Sequence, residues 1–400
     1  MGGKRMNEGA EGLEGVGGRE LLKDMETAAQ ALCKARKDGA SVLIRYHNDA
    51  DGICSALCIC EALEPLQCIS FPSDSATYQM EDAHIDVNLL SRGKNSLAIM
   101  LDFGVNEESL EALKEIKKTG AKLIIIDHHP YCEKVKEIAD VFVSPLSHSL
   151  ESKYAAGFLC AKIAKIAGVG EGVEKYPKIA LADEKERLLE NYARIALAGD
   201  RSSLAPIEED AKKAALVLEY AATYEKFPKK LEFYKKLLEE GELFSSIYAS
   251  AREKFEEIVE AAKNCTRRVE RKEMAFHYVN MDKLMKMRHF PSKARALTQV
   301  FDALCEEEGM VQRGKKNEAA AGEREKGNAV VVIGFGESLV TFRANQEAIK
   351  KGFDAGKIIE RIKEEIKTGI NLGGGHAAAA SIRTKKGFAK IVLLEVEKAL

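Results

Sequence analysis

The order of apolar and polar positions divides the first part of the chain into short apolar runs and longer periodic stretches. In residues 19–36 apolar side chains recur at helical spacing and the pattern stops at Gly39, which predicts a helix. Residues 41–46 form a short β-branched apolar run, followed by a polar turn at 47–52 and a helical stretch at 53–63. The pattern therefore predicts a strand, a polar turn and a helix in that order.

The same unit recurs further along the chain. An apolar run at 96–101 precedes a helical stretch at 107–119, and a second run at 121–126 precedes His128. Helical periodicity returns at 154–167 and 185–198. Continuous apolar strands that alternate with helices are typical of a parallel sheet covered on both faces, so we predict an α/β fold for this part.

The remainder of the chain changes character twice. Residues 207–263 are helical in pattern and heavily charged, with one break at Pro228, and predict a helical connector. Strand character then returns, which predicts a second, smaller α/β domain with strands at 274–281, 329–334 and 339–343 and helices near 292–307 and 355–368. Residues 312–327 are charged and lack apolar periodicity, so we expect a mobile hairpin insertion there.

Composition narrows the class of protein. The chain has 400 residues, 46% apolar and 31% charged, and no run approaches the roughly 20 apolar residues that span a bilayer, so we expect no membrane partner. Residues 1–18 are rich in Gly and Glu without an apolar core, which predicts a disordered tail and no secretory signal. Nine scattered cysteines without a CxxC pair suit a reducing cytoplasm.

Polar residues gather directly after three of the predicted strands. Ligand sites of such sheets lie at the carboxyl ends of the strands, so we expect these side chains to meet at one edge. They are His47, Asp49 and Asp51, then Asp102, then Asp127, His128 and His129. For each group an ordinary explanation also exists, because Asp49, Asp51 or Asp102 could cap a helix and the two histidines could be satisfied or exposed.

The donor types select the kind of metal. Carboxylates combined with imidazoles, and no cysteine among them, favour Mg²⁺ or Mn²⁺ over a structural zinc ion. Two ions about 3.5 to 4 Å apart would need a shared carboxylate and could activate water for in-line attack on phosphorus. The number of acids and imidazoles permits two metals.

A second group of residues near the C-terminus is suited to an anion. Gly373, Gly374 and Gly375 could expose backbone N–H groups to a phosphate, and His376 could donate to the same group. Arg343 closes a predicted strand and could grip a phosphate with two parallel hydrogen bonds. The alternatives are a flexible turn for the glycines and an exposed salt bridge for Arg343.

Six segments in order resemble the motifs of a known family. They are residues 47–52 (HNDADG), 101–104 (LDFG), 127–129 (DHH) and 198–200 (AGD), followed by 340–343 (VTFR) and 373–378 (GGGHAA). The first four are similar to the motifs of the DHH phosphoesterase superfamily, and the last two to those of its DHH-associated substrate domain. The resemblance spans residue 41 to the C-terminus.

The resemblance implies a role for each residue. It implies that His47 and Asp49 bind one metal, that Asp102 is shared between two ions, and that His128 and Asp200 complete the second site. His129 would face the substrate phosphate, and Asp127 would orient the imidazoles, so that Asp102, Asp127 and His129 carry the catalysis. Asp51 would cap a helix or support the ligands from behind. Some relatives have a further histidine four residues before the first motif, where this chain has Leu43.

The resemblance also implies domains and substrates. We expect a metal-binding DHH domain at 19–205, the connector at 206–271 and a substrate-binding domain at 272–400, with the substrate in the cleft between the two domains. The leading hypothesis is a RecJ-like exonuclease that releases 5′-mononucleotides from single-stranded or short DNA or RNA, with two Mn²⁺ or Mg²⁺ ions. The alternatives are a phosphodiesterase of linear or cyclic dinucleotides, and an idle subunit of a replication or repair assembly.

Overall fold

The computed structural model describes residues 16–151, 153–168, 178–224, 226–239, 241–286, 289–316, 328–366 and 368–400. The chain divides into two compact units, Met1–Tyr248 and Ala249–Leu400. Residues 1–15 of the predicted disordered tail lie outside the described residues. Residues 16–18, which we placed in that tail, begin the first helix. No helix of the described chain is long and apolar enough to cross a bilayer.

The first unit contains a parallel five-stranded sheet, as predicted. Its strand order is β2-β1-β3-β4-β5. The predicted strands at 41–46, 96–101 and 121–126 are confirmed, whereas the second and fifth strands were missed, because the second is only half-buried and the fifth has three residues. The strands are β1 (Val42–His47), β2 (Cys68–Ser73), β3 (Leu97–Leu101), β4 (Lys122–Ile126) and β5 (Val141–Val143).

Helices cover both faces of this sheet, which explains why the inner strands are continuously apolar. Leu113 and Ile116 pack on one face against Met100 and Ile125. The first-unit helices are α1 (Val16–Asp38), α2 (Ala50–Leu63), α3 (Met80–Leu90), α4 (Leu110–Lys118), α5 (Val135–Ile138), α6 (Ala156–Ile166), α7 (Lys178–Gly199), α8 (Glu209–Thr223) and α9 (Leu231–Glu239). Helix α2 packs against α6, α7, α8 and α9 as well as the sheet, so nearly all of its residues are buried.

Helix α10 (Gly241–Lys263) contains the boundary between the units. Helices α8 and α9 belong to the first unit, and the first strand of the second unit begins at Thr266. The segment 206–271, which we predicted to be a connector, therefore contributes to both units.

The second unit is built on a mixed six-stranded sheet. Its strand order is β10-β11-β9-β8-β7-β6, and only the β7–β8 pair is parallel. The strands are β6 (Thr266–Arg271), β7 (Met274–Asn280), β8 (Ala329–Phe335), β9 (Leu339–Ala344), β10 (Ile370–His376) and β11 (Ala379–Thr384). The helices are α11 (Met281–Leu284), α12 (Lys293–Lys316), α13 (Gln346–Lys350), α14 (Ala355–Glu365) and α15 (Ala389–Ala399). Phe276, Ile333, Phe342 and Ile359 lie in its core.

In this unit one expectation is wrong for the residues described, and one of the alternatives is excluded. Residues 312–316 of the predicted hairpin insertion continue α12, because Gln, Arg and Lys have good helix propensity without any apolar pattern; residues 317–327 lie outside the described residues. The glycines do not form a turn, since Gly373–Gly375 pair with β11 as part of β10. Gly375 has φ 143°, and a Cβ there would lie 2.4 Å from the Ala379 carbonyl oxygen, so only glycine fits this position.

Candidate metal centre

The turn after β1 places the first pair of donors. Asp49 is the N-cap of α2, with one carboxylate oxygen accepting a hydrogen bond from the Gly52 N–H at 3.0 Å. A Cβ at Gly52 would lie 2.1 Å from the His47 carbonyl oxygen, so the tight turn requires glycine there. The other carboxylate oxygen of Asp49 lies 2.7 Å from Nδ1 of His47. Asp49 thus caps the helix and still offers an oxygen to the site.

Asp102 occupies the centre of the cluster. It follows β3 in the left-handed region, at φ 63°, and is 2% exposed. A non-glycine residue in this conformation costs on the order of 1–3 kcal/mol, which the surrounding fold must offset. The Asp102 N–H donates to the Ile126 carbonyl at 3.0 Å, which continues the ladder towards β4. Its Oδ2 lies 3.6 Å from Nδ1 of His47.

The second oxygen of Asp102 faces the paired histidines that follow β4. Its Oδ1 lies 3.4 Å from Nε2 of His128 and 3.7 Å from Nδ1 of His129. Asp127 accepts hydrogen bonds from the backbone N–H groups of His128 at 2.8 Å and His129 at 3.2 Å, and its Oδ1 lies 2.9 Å from Nδ1 of His129. Asp127 therefore fixes the turn and the ring of His129.

Two further carboxylates reach His128 from helices. Oδ2 of Asp200, directly after α7, lies 2.9 Å from Nε2 of His128. Asp51, on α2, accepts hydrogen bonds from the N–H groups of Ala156 at 2.8 Å and Gly157 at 2.6 Å, at the start of α6. Its Oδ2 also lies 3.6 Å from Nε2 of His128. Asp51 thus caps a helix that is distant in sequence, while one of its oxygens borders the cluster.

The residues that we predicted to bind metal come together in space. Within the described chain, three groups have ligand atoms that all lie within 4.8 Å of one another, namely His47, Asp49 and Asp102; Asp102, His128 and His129; and Asp51, His128 and Asp200. Asp102 and His128 each belong to two groups. Sequence reasoning did not count Asp51 as a direct donor; its spacing of two residues from Asp49 was the signal that could have suggested it.

The crowded carboxylates of the cluster favour binding of a cation. Burial raises the pKa of Asp102, and the nearby charge of Asp49 adds to this effect. Burial opposes protonation of the imidazoles, but the neighbouring carboxylates outweigh it: Asp49 and Asp102 raise the pKa of His47 to about 11, and Asp200 raises the pKa of His128. Without a metal ion, protons must compensate the crowded carboxylates.

The donor set fits one or two divalent cations. Oδ1 of Asp102 is buried and accepts no hydrogen bond from the described residues, which is costly unless a cation or proton lies beside it. Carboxylate oxygens dominate the cluster, imidazoles complete it, and it contains no thiolate. Such a set suits hard divalent ions of the Mg²⁺ and Mn²⁺ type.

The predicted anion-binding residues lie in the second unit. Arg343 is on β9, where its Nε lies 3.4 Å from Oγ1 of Thr298 and its Nη1 donates to the Phe342 carbonyl at 2.8 Å. Gly373–Gly375 lie on β10, an edge strand of the sheet, and Gly374 is exposed. The backbone of His376 pairs with Ala379, and its side chain lies outside the described part of the structure.

Comparisons with known proteins agree with the motifs. Residues 41–199 match the sequence model of the DHH family, N-terminal domain. The uncharacterized protein MJ1198 of Methanocaldococcus jannaschii is 24% identical over 420 aligned positions, which cover 92% of this chain and 52% of that protein. The chain thus spans about half the length of this relative.

Solved structures share the fold. The DHH domain of PF0399, a member of a family of ribosomal proteins, superposes with a TM-score of 0.79 at 23% identity, covering 96% of this chain and 92% of that one. RecJ in complex with Mn²⁺ from Thermus thermophilus superposes with a TM-score of 0.52 at 15% identity, covering 94% of this chain and 54% of RecJ. The motifs, the domain match and the shared fold agree on one assignment: residues 41–199 form a DHH family N-terminal domain.

Proposed function

We propose that the protein is a metal-dependent phosphodiester hydrolase that releases 5′-mononucleotides from single-stranded or short oligonucleotides. The observation that carries the proposal is the convergence of three donor groups on Asp102 and His128 at the carboxyl ends of the strands. A site that can hold two hard cations at one sheet edge is suited to a substrate with negative charge at the reacting atom. The match of residues 41–199 to the DHH family, together with the resemblance of the motifs to those of DHH phosphoesterases, supports the same chemistry.

We propose that the cluster holds two cations. His47, Asp49 and Asp102 would hold one ion, and Asp102, His128 and Asp200 the other. When bound, such ions polarise a phosphoryl oxygen and lower the pKa of a coordinated water. We propose Mn²⁺ as the metal, with Mg²⁺ as the substitute, because the set combines carboxylates with imidazoles and because a RecJ structure of the same fold carries manganese.

His129 is the residue of the cluster best suited to contact substrate. Its side chain is 43% exposed, and its Nδ1 already faces Asp127 at 2.9 Å. The other ring nitrogen, Nε2, is therefore left to donate to a phosphate oxygen. The carboxylate of Asp127 raises the pKa of His129 against the opposing effect of burial, which favours the ring form that donates from both nitrogens. Asp127 acts through this ring and is a positioning residue.

The second unit would bind the remainder of the substrate. We propose that the backbone of Gly373–Gly375 and the side chains of His376 and Arg343 contact its phosphates. Strand β10 is an edge strand, so alternate backbone N–H groups lack a ladder partner on its outer side, and glycines leave these groups accessible.

All nine cysteines are free thiols, which suits the reducing cytoplasm where we propose that the protein acts.

The test compares two substrates and two variants. The purified chain, supplied with Mn²⁺, is given a labelled dinucleotide and a labelled long single strand, and released mononucleotides are measured by chromatography. We expect hydrolysis that chelator abolishes, with loss of activity in Asp102→Asn and wild-type activity in Asp210→Asn, whose carboxylate is 95% exposed.

The outcomes separate the three functions. Release of mononucleotides from the long strand supports the exonuclease. A strong preference for the dinucleotide would instead identify a dinucleotide phosphodiesterase. Absence of any hydrolysis with metal demonstrably bound would overturn the proposal in favour of an idle subunit of a replication or repair assembly.

A further inference from the structure

An aromatic cluster with lysines lies where α8 ends and α9 begins. The ring centroids of Tyr220 and Tyr224 are 4.6 Å apart, and those of Phe227 and Phe233 are 5.9 Å apart with an angle of 19° between the planes. Nζ of Lys226 lies 4.9 Å from the centroid of Phe227, 5.8 Å from that of Tyr224 and 5.9 Å from that of Tyr220. We call these five residues the α8–α9 ring cluster.

Core packing explains only part of this cluster. Tyr220 is 5% exposed and packs inward. Tyr224, Phe227 and Phe233 are only partly buried, and the ammonium of exposed Lys226 lies over the rings. Lys229 and Lys230 follow in the same loop. Rings that keep accessible surface, combined with three lysines in one short loop, are not what a closed core requires.

The helix that carries the cluster is hydrogen-bonded to the turn that carries the first metal ligands. The amide nitrogen of Asn48 donates to the carbonyl of Ala222, in the last turn of α8, at 3.1 Å. Asn48 stands between the candidate ligands His47 and Asp49. Nζ of Lys229 lies 3.3 Å from Asp74, which also accepts from Asn48. Tyr224 follows Ala222 by two residues, and two residues span at most about 7 Å. Tyr224 therefore lies within roughly the length of one nucleotide of the contact between Asn48 and Ala222.

We propose that the α8–α9 ring cluster is a stacking platform for the bases of a single-stranded nucleic acid, next to the reacting phosphate. Aromatic faces combined with cations are the means by which proteins hold single strands without reading sequence. Lys226 and Lys230 would contact the backbone phosphates as point charges. The inference rests on the proposed function and extends it, because it makes the substrate a strand that continues beyond the nucleotides at the metal centre.

The test separates strand binding from hydrolysis. Binding of a labelled thymidylate strand of about 12 nucleotides, within the roughly 4–16 nucleotides that such grooves hold, is measured by fluorescence anisotropy in chelator. Phe227→Leu keeps an apolar side chain but removes the flat ring, and loss of one base stack weakens binding by about 5- to 150-fold. In a plot of the logarithm of the association constant against the logarithm of the salt concentration, Lys226→Ala makes the negative slope shallower by about 0.7, as expected for one lost phosphate contact.

Matched controls keep the proposal falsifiable. Lys162→Ala removes a lysine that lies 5.5 Å from the ring of Phe158 elsewhere in the same unit, and we expect it to bind the strand like the wild type. Should Phe227→Leu fail to fold, as judged by circular dichroism, Lys226→Ala decides, since its side chain is exposed.

Failure of this inference is distinct from failure of the proposed function. Wild-type strand affinity in Phe227→Leu and Lys226→Ala overturns the platform even if the protein is an active nuclease. Equal weakening by Lys162→Ala also overturns it, because the effect would then be one of general charge. Conversely, a strand affinity that depends on Phe227, in a protein that hydrolyses nothing, sustains the platform and overturns only the exonuclease.

Discussion

Oδ1 of Asp102 and Nε2 of His128 lie 3.4 Å apart, although the two residues follow different strands of the sheet. Each belongs to two of the three donor groups, so this pair connects the groups into one cluster. The parallel order of β3 and β4 explains the approach, because neighbouring parallel strands end at the same edge. A change at either residue should therefore disturb more than one group of ligands.

The Asp102→Asn variant should bind Mn²⁺ more weakly than the wild type and, without metal, should be more stable. The substitution removes a ligand shared by two groups, so we expect Mn²⁺ affinity and activity to fall by more than about 100-fold, beyond the effect of changing a residue that only supports a ligand. Asparagine tolerates the left-handed backbone, and the change removes a buried like charge. In chelator, the melting temperature should therefore rise, measured by differential scanning fluorimetry beside calorimetric titration with Mn²⁺. Unchanged Mn²⁺ affinity would contradict the central place of Asp102.

Asp127→Asn and His129→Ala should reduce turnover and leave metal binding largely intact. Asp127 contacts the ring of His129, and His129 belongs to only one of the three donor groups. We expect both variants to lower kcat by roughly 100-fold or more, the scale of a lost hydrogen-bond donor to the reacting group. Steady-state rates and the bound metal, counted by elemental analysis, distinguish this outcome from loss of the site. Complete loss of metal in His129→Ala would make this residue a ligand instead.

Much of this site was accessible from the sequence. The apolar runs before His47, Asp102 and Asp127 predicted three neighbouring strand ends, and strand geometry brings their side chains together. Contacts that depend on helix packing were not accessible, because no local pattern states that Asp51 reaches the N-terminus of α6. The strand at 370–376 was missed for another reason: glycine has low strand propensity, and pairing with β11 overrides it.

Asp51→Ala should destabilise the first unit more than expected for a residue in the first turn of α2, because Asp51 also caps α6. The carboxylate accepts hydrogen bonds from the N–H groups of Ala156 and Gly157, both at a buried helix N-terminus. Each donor left unsatisfied costs about 1–3 kcal/mol. Thermal melting in chelator measures the effect without the metal. The exposed Asp210→Ala, in the same unit, should melt within experimental error of the wild type.

Glu308 should make the stability of the second unit depend on pH in the acid range. Its Oε1 lies 2.6 Å from Nε of Arg268 and 3.1 Å from Nε2 of the buried His277. The hydrogen bond with Arg268 lowers the pKa of Glu308 from 4.5, against the opposing effect of burial. A carboxylate with a lowered folded pKa contributes stability that is complete above its unfolded pKa and is lost as the pH falls through the folded value.

The variant Glu308→Gln tests the direction of this pH dependence. At pH 7 it should unfold at lower denaturant concentration than the wild type, because Arg268 and His277 lose their charged acceptor. As the pH falls below about 4.5, the wild-type carboxylate becomes protonated and the difference between the two proteins should shrink. Burial also lowers the pKa of His277, so both proteins should begin to lose stability as the pH falls below 6.5. Denaturant unfolding from pH 7 to pH 3 measures both effects, and a difference that grows towards low pH would reverse the assigned sign.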